Sequence, residues 1–154
     1  MNRYLLLLLA LITGLACSPR KPHATNSGGL VPETQDGPVA LIKPPPSDAA
    51  FEVNPAVVDT VSVQQELVSG TNTAQVEVLV RGYLSDGCSD LHEVKQERSG
   101  NQISIKLMAR RRTDMICTMA IRPYRFYVRL DKPLENGLYT LLLNNKTYPF
   151  QVYR

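Results

Sequence analysis

The stretch Val76-Glu77-Val78-Leu79-Val80-Arg81 decides the fold class, because valine recurs at every second position. Successive side chains of a β-strand point to opposite faces, so this alternation predicts a strand with one buried face. Similar alternation predicts seven strands, at about residues 61–67, 76–81, 92–98, 103–108, 124–129, 138–143 and 147–152. No window combines the helical period of 3.6 residues with capping residues.

Turn-forming residues separate the predicted strands, at positions 69–72, 99–101, 135–137 and 144–145. Asparagine tolerates a positive φ angle, so Asn144-Asn145 predicts a tight hairpin. Seven short strands at this spacing predict an all-β fold, an antiparallel β-sandwich that occupies residues 59–154.

The segment Glu135-Asn136-Gly137-Leu138-Tyr139 resembles the tyrosine corner of immunoglobulin-like domains. The resemblance implies that the Tyr139 hydroxyl bonds to nearby backbone, and that the last two strands correspond to strands F and G of that fold. The chain has no tryptophan and no cysteine two residues after Tyr139, so only the immunoglobulin-like architecture is expected. Residues 80–88, 114–118 and 134–139 also look like parts of small sandwich domains found in bacterial lipoproteins and secreted proteins of unassigned function. That resemblance covers about residues 59–154 and carries no known active site.

Residues 1–16 have the character of an export signal, with Arg3 followed by an apolar run from Leu5 to Leu15. The run is shorter than the roughly 20 residues that a transmembrane helix needs. Ala16-Cys17 resembles the lipobox of bacterial lipoproteins, which implies cleavage before Cys17 and attachment of lipid to its sulfur. The alternative is a simple secretory signal that leaves Cys17 as a free thiol.

Residues 17–58 are predicted to form a disordered tether between the lipid and the domain. The segment is rich in proline, including Pro44-Pro45-Pro46, and contains Gly28-Gly29. Such a composition cannot bury enough apolar surface to offset the entropy lost on ordering.

The chain has three cysteines, an odd number that is awkward for an exported protein. Assigning Cys17 to lipid leaves Cys88 and Cys117, which we expect to form a disulfide in an oxidising compartment. The bridge would tie one loop to another across the hairpin of residues 93–110.

A basic binding patch is predicted from five arginines and a neighbouring tyrosine. Guanidinium groups bind carboxylates and phosphates with two hydrogen bonds, so an envelope protein or an anionic polymer would fit. The members are Arg110, Arg111, Arg112, Arg122, Arg125 and Tyr127. In the alternative interpretation, Arg125 and Arg129 are simply the outward positions of a strand.

The sequence gives little support for metal binding, catalysis or nucleic-acid binding. Asp86, Asp90, His92 and Glu93 surround Cys88, but their spacing matches no calcium loop, and acidic residues in such a loop usually form turns. We expect neither a metal nor another cofactor. The chain has no nucleophile motif, and His92 is the only histidine of the domain, so we expect no enzyme activity. A net charge of +3 does not require nucleic acid as a partner.

These patterns lead to a hypothesis about function. The protein is expected to be anchored to a membrane through lipid on Cys17, to face the periplasm or the cell exterior, and to act in binding or assembly at the cell envelope. The alternative is a secreted or periplasmic inhibitor, or an accessory subunit that acts on an enzyme through a loop.

Overall fold

The computed structural model describes residues 37–153, and within this range the chain forms nine β-strands in two sheets. The predicted signal peptide, Cys17 and the tether up to residue 36 lie outside the described residues. The strands are β1 (Phe51–Pro55), β2 (Val57–Leu67), β3 (Thr73–Leu84), β4 (Ser89–Ser99), β5 (Gln102–Arg112), β6 (Arg122–Arg129), β7 (Leu134–Glu135), β8 (Gly137–Leu143) and β9 (Lys146–Val152).

Each sheet is built around one long central strand. In the first sheet β3 pairs with β2 along one side and with β6 and β7 along the other. In the second sheet β5 pairs with β4 along one side, while β1 and β8 share the other side end to end. Strand β9 pairs with β8 and lies at the edge.

The hydrophobic core lies between the two sheets, as the alternation predicts. Val76, Val78 and Val80 of β3 are fully buried, and they share one cluster with Ile105 and Leu107 of β5. Burial of one such side chain contributes about 1.5–3 kcal/mol. Among the described residues, the buried members of the cluster lie between residues 56 and 152, and Ala40 and Ile42 pack against them. The predicted all-β sandwich is confirmed.

One strand pairing differs from a wholly antiparallel sandwich, because β5 and β8 run parallel. The chain leaves β5, crosses to the first sheet as β6 and β7, and then re-enters the second sheet as β8. Because of this crossover, β8 runs in the same direction as β5. Strands β8 and β9 form an antiparallel hairpin, as the resemblance to strands F and G implied.

Ordered structure begins earlier than the predicted boundary at residue 59. Strand β1 and the first residues of β2 lie within the range predicted as tether. Residues 38–40 also pair with the edge of β6, since Arg125 N donates to Pro38 O at 2.9 Å and Ala40 N donates to Arg125 O at 2.7 Å. A sheet edge supplies backbone partners whatever the side chains are, so a proline-rich sequence can be ordered there.

Two predicted local details are present in the structure. Asn144 has a φ of 51° in the turn between β8 and β9, and its side-chain oxygen accepts a hydrogen bond from Leu107 N at 2.9 Å. The Tyr139 hydroxyl donates to Glu135 O at 3.1 Å, which is the backbone bond of a tyrosine corner. Both contacts fix the last two strands against the rest of the sandwich.

Candidate functional site

One end of the sandwich is formed by two loops joined by a disulfide, and we call it the disulfide end. The loops are residues 85–88, between β3 and β4, and residues 113–121, between β5 and β6. The β4–β5 turn at residues 99–101 lies at the opposite end. Cys88 and Cys117 are bonded with their Cα atoms 5.4 Å apart, so the pairing predicted from the cysteine count is present.

Backbone hydrogen bonds hold the two loops together beside the disulfide. Gly87 N donates to Thr118 O at 3.0 Å, and Arg112 N donates to Cys88 O at 3.2 Å. Thr113 N donates to Ala50 O at 3.1 Å, which ties the start of the second loop to the segment before β1. The second loop is therefore held at three points although it contains no strand.

Asp86 organises the base of the disulfide end. Its carboxylate accepts hydrogen bonds from Ser89 Oγ at 2.7 Å, Arg111 Nε at 2.5 Å and Cys88 N at 3.0 Å. The hydrogen bond from Ser89, followed by that from Arg111, lowers the pKa of Asp86 below its ordinary value of 3.8. Asp86 is thus ionised at neutral pH and acts as a fixed acceptor within the fold.

The loop of residues 113–121 exposes four large apolar side chains, and we call it the apolar loop. Ile116 is 98% exposed, Met119 93%, Ile121 69% and Met115 48%. Single exposed apolar residues are common on protein surfaces, whereas several together mark an interaction site. The apolar loop is therefore the candidate functional site.

A groove extends the apolar surface from the loop towards the beginning of the described chain. It has a volume of about 520 Å³, and its lining includes Val39, Leu41, Ile121 and Tyr124. Val39 and Leu41 are themselves mostly exposed. Gly37 packs against Pro123, since a Cβ atom on Gly37 would lie 2.5 Å from the Pro123 carbonyl carbon. The chain therefore enters the domain beside the apolar loop.

The structure gives the consecutive arginines of β5 separate intramolecular partners. Arg110 is 4% exposed, with its guanidinium 5.1 Å from the centre of the Phe51 ring. Arg111 binds Asp86, as described above. Arg112 binds both oxygens of Asp114, at 3.0 Å and 2.7 Å. This bidentate contact raises the pKa of Arg112 and lowers the pKa of Asp114.

The other members of the predicted patch lie on β6. Arg122 donates to Asp86 O at 3.2 Å and also to Ser89 O, while Arg125 donates to Gly37 O at 2.8 Å. Tyr127 projects from the outer face of the first sheet. The structure thus brings Arg111 and Arg122 together around Asp86 and gives Arg110, Arg112 and Arg125 other partners, an arrangement that favours structural roles for these arginines.

The acidic residues near Cys88 also have partners. Asp90 lies 3.6 Å from Arg122, and Glu93 lies 3.0 Å from Lys95. His92 sits at an irregularity in the pairing of β4 with β5, between Leu91 and Glu93. Among residues 37–153 no group of three or more His, Cys, Asp or Glu side chains is arranged to hold a metal ion.

A second cavity, of about 540 Å³, lies at the end of the sandwich opposite the disulfide. It is lined by Gln96, Asp131, Lys132 and their neighbours. Gln96 donates to Asp131 Oδ1 at 2.5 Å and to Arg129 O at 3.3 Å, contacts that tie β4 to the segment after β6. These polar groups serve the fold, so the apolar loop remains the stronger candidate.

Sequence analysis predicted the pairing of Cys88 with Cys117 correctly but missed the apolar loop. The available signal was the pair of apolar residues before Cys117, with Met119 and Ile121 after it, in a segment outside the predicted strands. Within the described residues no helix is long and apolar enough to cross a membrane.

Comparison with known proteins finds a family and several small relatives. The family described as the ORF11 β-sandwich domain matches residues 78–152, from within β3 to the last residue of β9. Two relatives from Herpetosiphon aurantiacus are each 41% identical over 71 residues, which is 46% of this chain and 87% of the relative; they are described as uncharacterized 10.2 kDa proteins in the HgiBIM and HgiEIM 5′ regions. A third, in the HgiCIIM 5′ region of the same organism, is 38% identical over 71 residues, 46% of this chain and 76% of its own length. No solved structure matches significantly. This chain belongs to the ORF11 β-sandwich domain family.

Proposed function

We propose that this protein is a lipid-anchored, non-catalytic component of the bacterial cell envelope that binds through its apolar loop. The observation that carries the binding role is the near-complete exposure of Ile116 and Met119 on a loop held by a disulfide. A loop that is already ordered loses little conformational entropy on binding, which favours the bound state.

The anchor is proposed from the sequence at Cys17 and from the cysteine count. Acylation of Cys17 uses the one cysteine that lacks a partner in the disulfide. A disulfide between Cys88 and Cys117 is also in keeping with a periplasmic or extracellular position. The non-catalytic role rests on the absence of a recognised nucleophile motif from the sequence.

Metabolic labelling with a fatty-acid analogue tests the anchor. We expect the wild-type protein to incorporate the label and to appear in the membrane fraction. The Cys17→Ala variant should not be labelled and should leave the membrane fraction. The double variant Cys88→Ser/Cys117→Ser is the matched control, because it removes two other cysteines and should keep the label. Equal labelling of wild type and Cys17→Ala would refute the anchored function.

A second candidate is a secreted or periplasmic inhibitor or accessory subunit that acts on an enzyme through a loop. Ile116 favours it, since a single protruding apolar side chain can fill a pocket on a partner and dominate the binding energy. This candidate requires release into the soluble fraction after export, so the labelling experiment separates it from the anchored protein.

A further inference from the structure

We propose that the apolar loop inserts into the lipid bilayer, so that the domain rests on the membrane surface by its disulfide end. This inference rests on the proposed function, because it assigns the bilayer as the surface that the loop binds. Ile116 and Met119 project almost completely into solvent. Projecting aliphatic side chains enter a fluid hydrocarbon phase without needing a complementary pocket.

The described chain begins at the same end of the domain as the apolar loop. Residue 37 packs against Pro123, which is two positions after Ile121. Residue 37 lies twenty positions after Cys17, and a chain of that length spans at most about 70 Å even when fully extended. Lipid on Cys17 would therefore keep the disulfide end near the bilayer, at a high effective concentration.

The charges around the loop point to apolar insertion and away from attraction to anionic headgroups. Arg112 binds Asp114 at 2.7 Å, and Arg111 binds Asp86 at 2.5 Å. Arg122, which follows Ile121, lies 3.6 Å from Asp90, so each of these three guanidinium groups has a carboxylate partner. Because release of counterions contributes little when charges are already paired, binding should be nearly independent of salt and of the fraction of anionic lipid.

The absence of tryptophan from the chain allows a direct test with a single fluorescent reporter. Ile116→Trp places the reporter at the tip of the loop. Leu138→Trp is the matched control, because Leu138 is 70% exposed but lies at the opposite end of the sandwich, beside Asn101. Both variants, processed to begin at an acylated Cys17, are reconstituted in phosphatidylcholine vesicles with and without brominated acyl chains.

We expect a blue-shifted emission and strong quenching by brominated lipid for Ile116→Trp, and neither effect for Leu138→Trp. If an acylated Ile116→Trp protein keeps a solvent-exposed emission and is not quenched, the insertion is refuted while the anchor stands. If the chain is not acylated but Ile116→Trp is still quenched, the insertion stands and the anchor is refuted. Crosslinking of residue 116 to an envelope protein in intact cells, without quenching, would assign the loop to a protein partner and overturn the inference.

A second measurement separates insertion from mere tethering. Residues 18–154 retain every core residue but lack the lipid, and we expect them to bind phosphatidylcholine vesicles weakly and with little dependence on salt. Ile116→Asp and Met119→Asp should each weaken this binding by about tenfold to a hundredfold, the loss expected when one buried apolar side chain is removed. An unchanged thermal midpoint would show that the variant is folded, and unchanged vesicle binding would then contradict the proposal.

Discussion

Removing the disulfide by the paired change Cys88→Ser/Cys117→Ser should lower the free energy of unfolding by about 3.6 kcal/mol. The bridge closes a chain of sequence separation 29. In the chain-entropy treatment, a closed loop of that size removes about 12 cal/mol/K from the unfolded ensemble, which is about 3.6 kcal/mol at 25 °C. The change acts mainly by raising the entropy of the unfolded state. The native loops stay together, because Gly87 N still donates to Thr118 O.

Urea unfolding at 25 °C measures this loss directly, and thermal unfolding gives an independent value. A folded unit of about 120 residues has an unfolding entropy near 0.25 kcal/mol/K, so the midpoint should fall by about 14 °C. Wild-type protein treated with a reductant is the control, and it should behave like the double variant. A loss below about 1 kcal/mol in both would refute the reasoning, since it would mean that the bridge does not restrict the unfolded chain.

Three further predictions test other contacts of the sandwich. Gly82→Ala should destabilise the domain by at least about 2 kcal/mol in urea unfolding, because the new Cβ would lie 2.0 Å from the Val57 carbonyl oxygen; wild-type stability would contradict the close approach of β2 and β3. Tyr139→Phe removes the hydroxyl that donates to Glu135 O and should cost about 1 kcal/mol, measured as a lower thermal midpoint, with no loss indicating that the bond contributes nothing. Hydrogen bonds lower the pKa of Asp86 below 3.8, so its carboxylate stabilises the fold above that value and this contribution disappears as the pH falls through the lowered pKa. The stability difference between wild type and Asp86→Asn should therefore shrink on acidification from neutral pH, and a difference independent of pH would refute this role.

Features that depend on local chain geometry were predictable from the sequence. Alternating valines specify a strand because every second side chain faces the core, and Val76, Val78 and Val80 are fully buried. Asn144 adopts the positive φ that its residue type tolerates. The Tyr139 hydroxyl bonds to backbone only four residues away.

Features that depend on contacts between distant parts of the chain were harder to predict from the sequence. Strand β1 alternates apolar and polar residues over only five positions and follows a run of prolines, so its pairing with β5 could not be read locally. The parallel pairing of β5 with β8 depends on the path of β6 between them. Exposure of Ile116 depends on the conformation of a loop that a disulfide ties to Cys88, which residue type alone does not reveal.

The contacts of Arg111 and Arg125 show what the sequence alone could not reveal about the predicted arginine patch. Guanidinium groups favour planar oxygen acceptors wherever these occur. Here the acceptors are the Asp86 carboxylate and the carbonyl oxygen of Gly37, both within the same chain. Sequence shows which groups can bind an anion, but only the fold shows which are already engaged.

The pairing of residues 38–40 with β6 has a mechanical consequence. Tension applied through the residues before position 37 would load the two backbone hydrogen bonds to Arg125 before it reached any strand of the core. Rupture of these two bonds, and of the bonds that Gly37, Pro44 and Ala50 accept through their carbonyl oxygens, would release residues 37–50. The reach of the chain would grow by at most about 50 Å while β1 stayed paired with β5. The start of the described chain can thus yield to stretching while the strands of the sandwich remain folded.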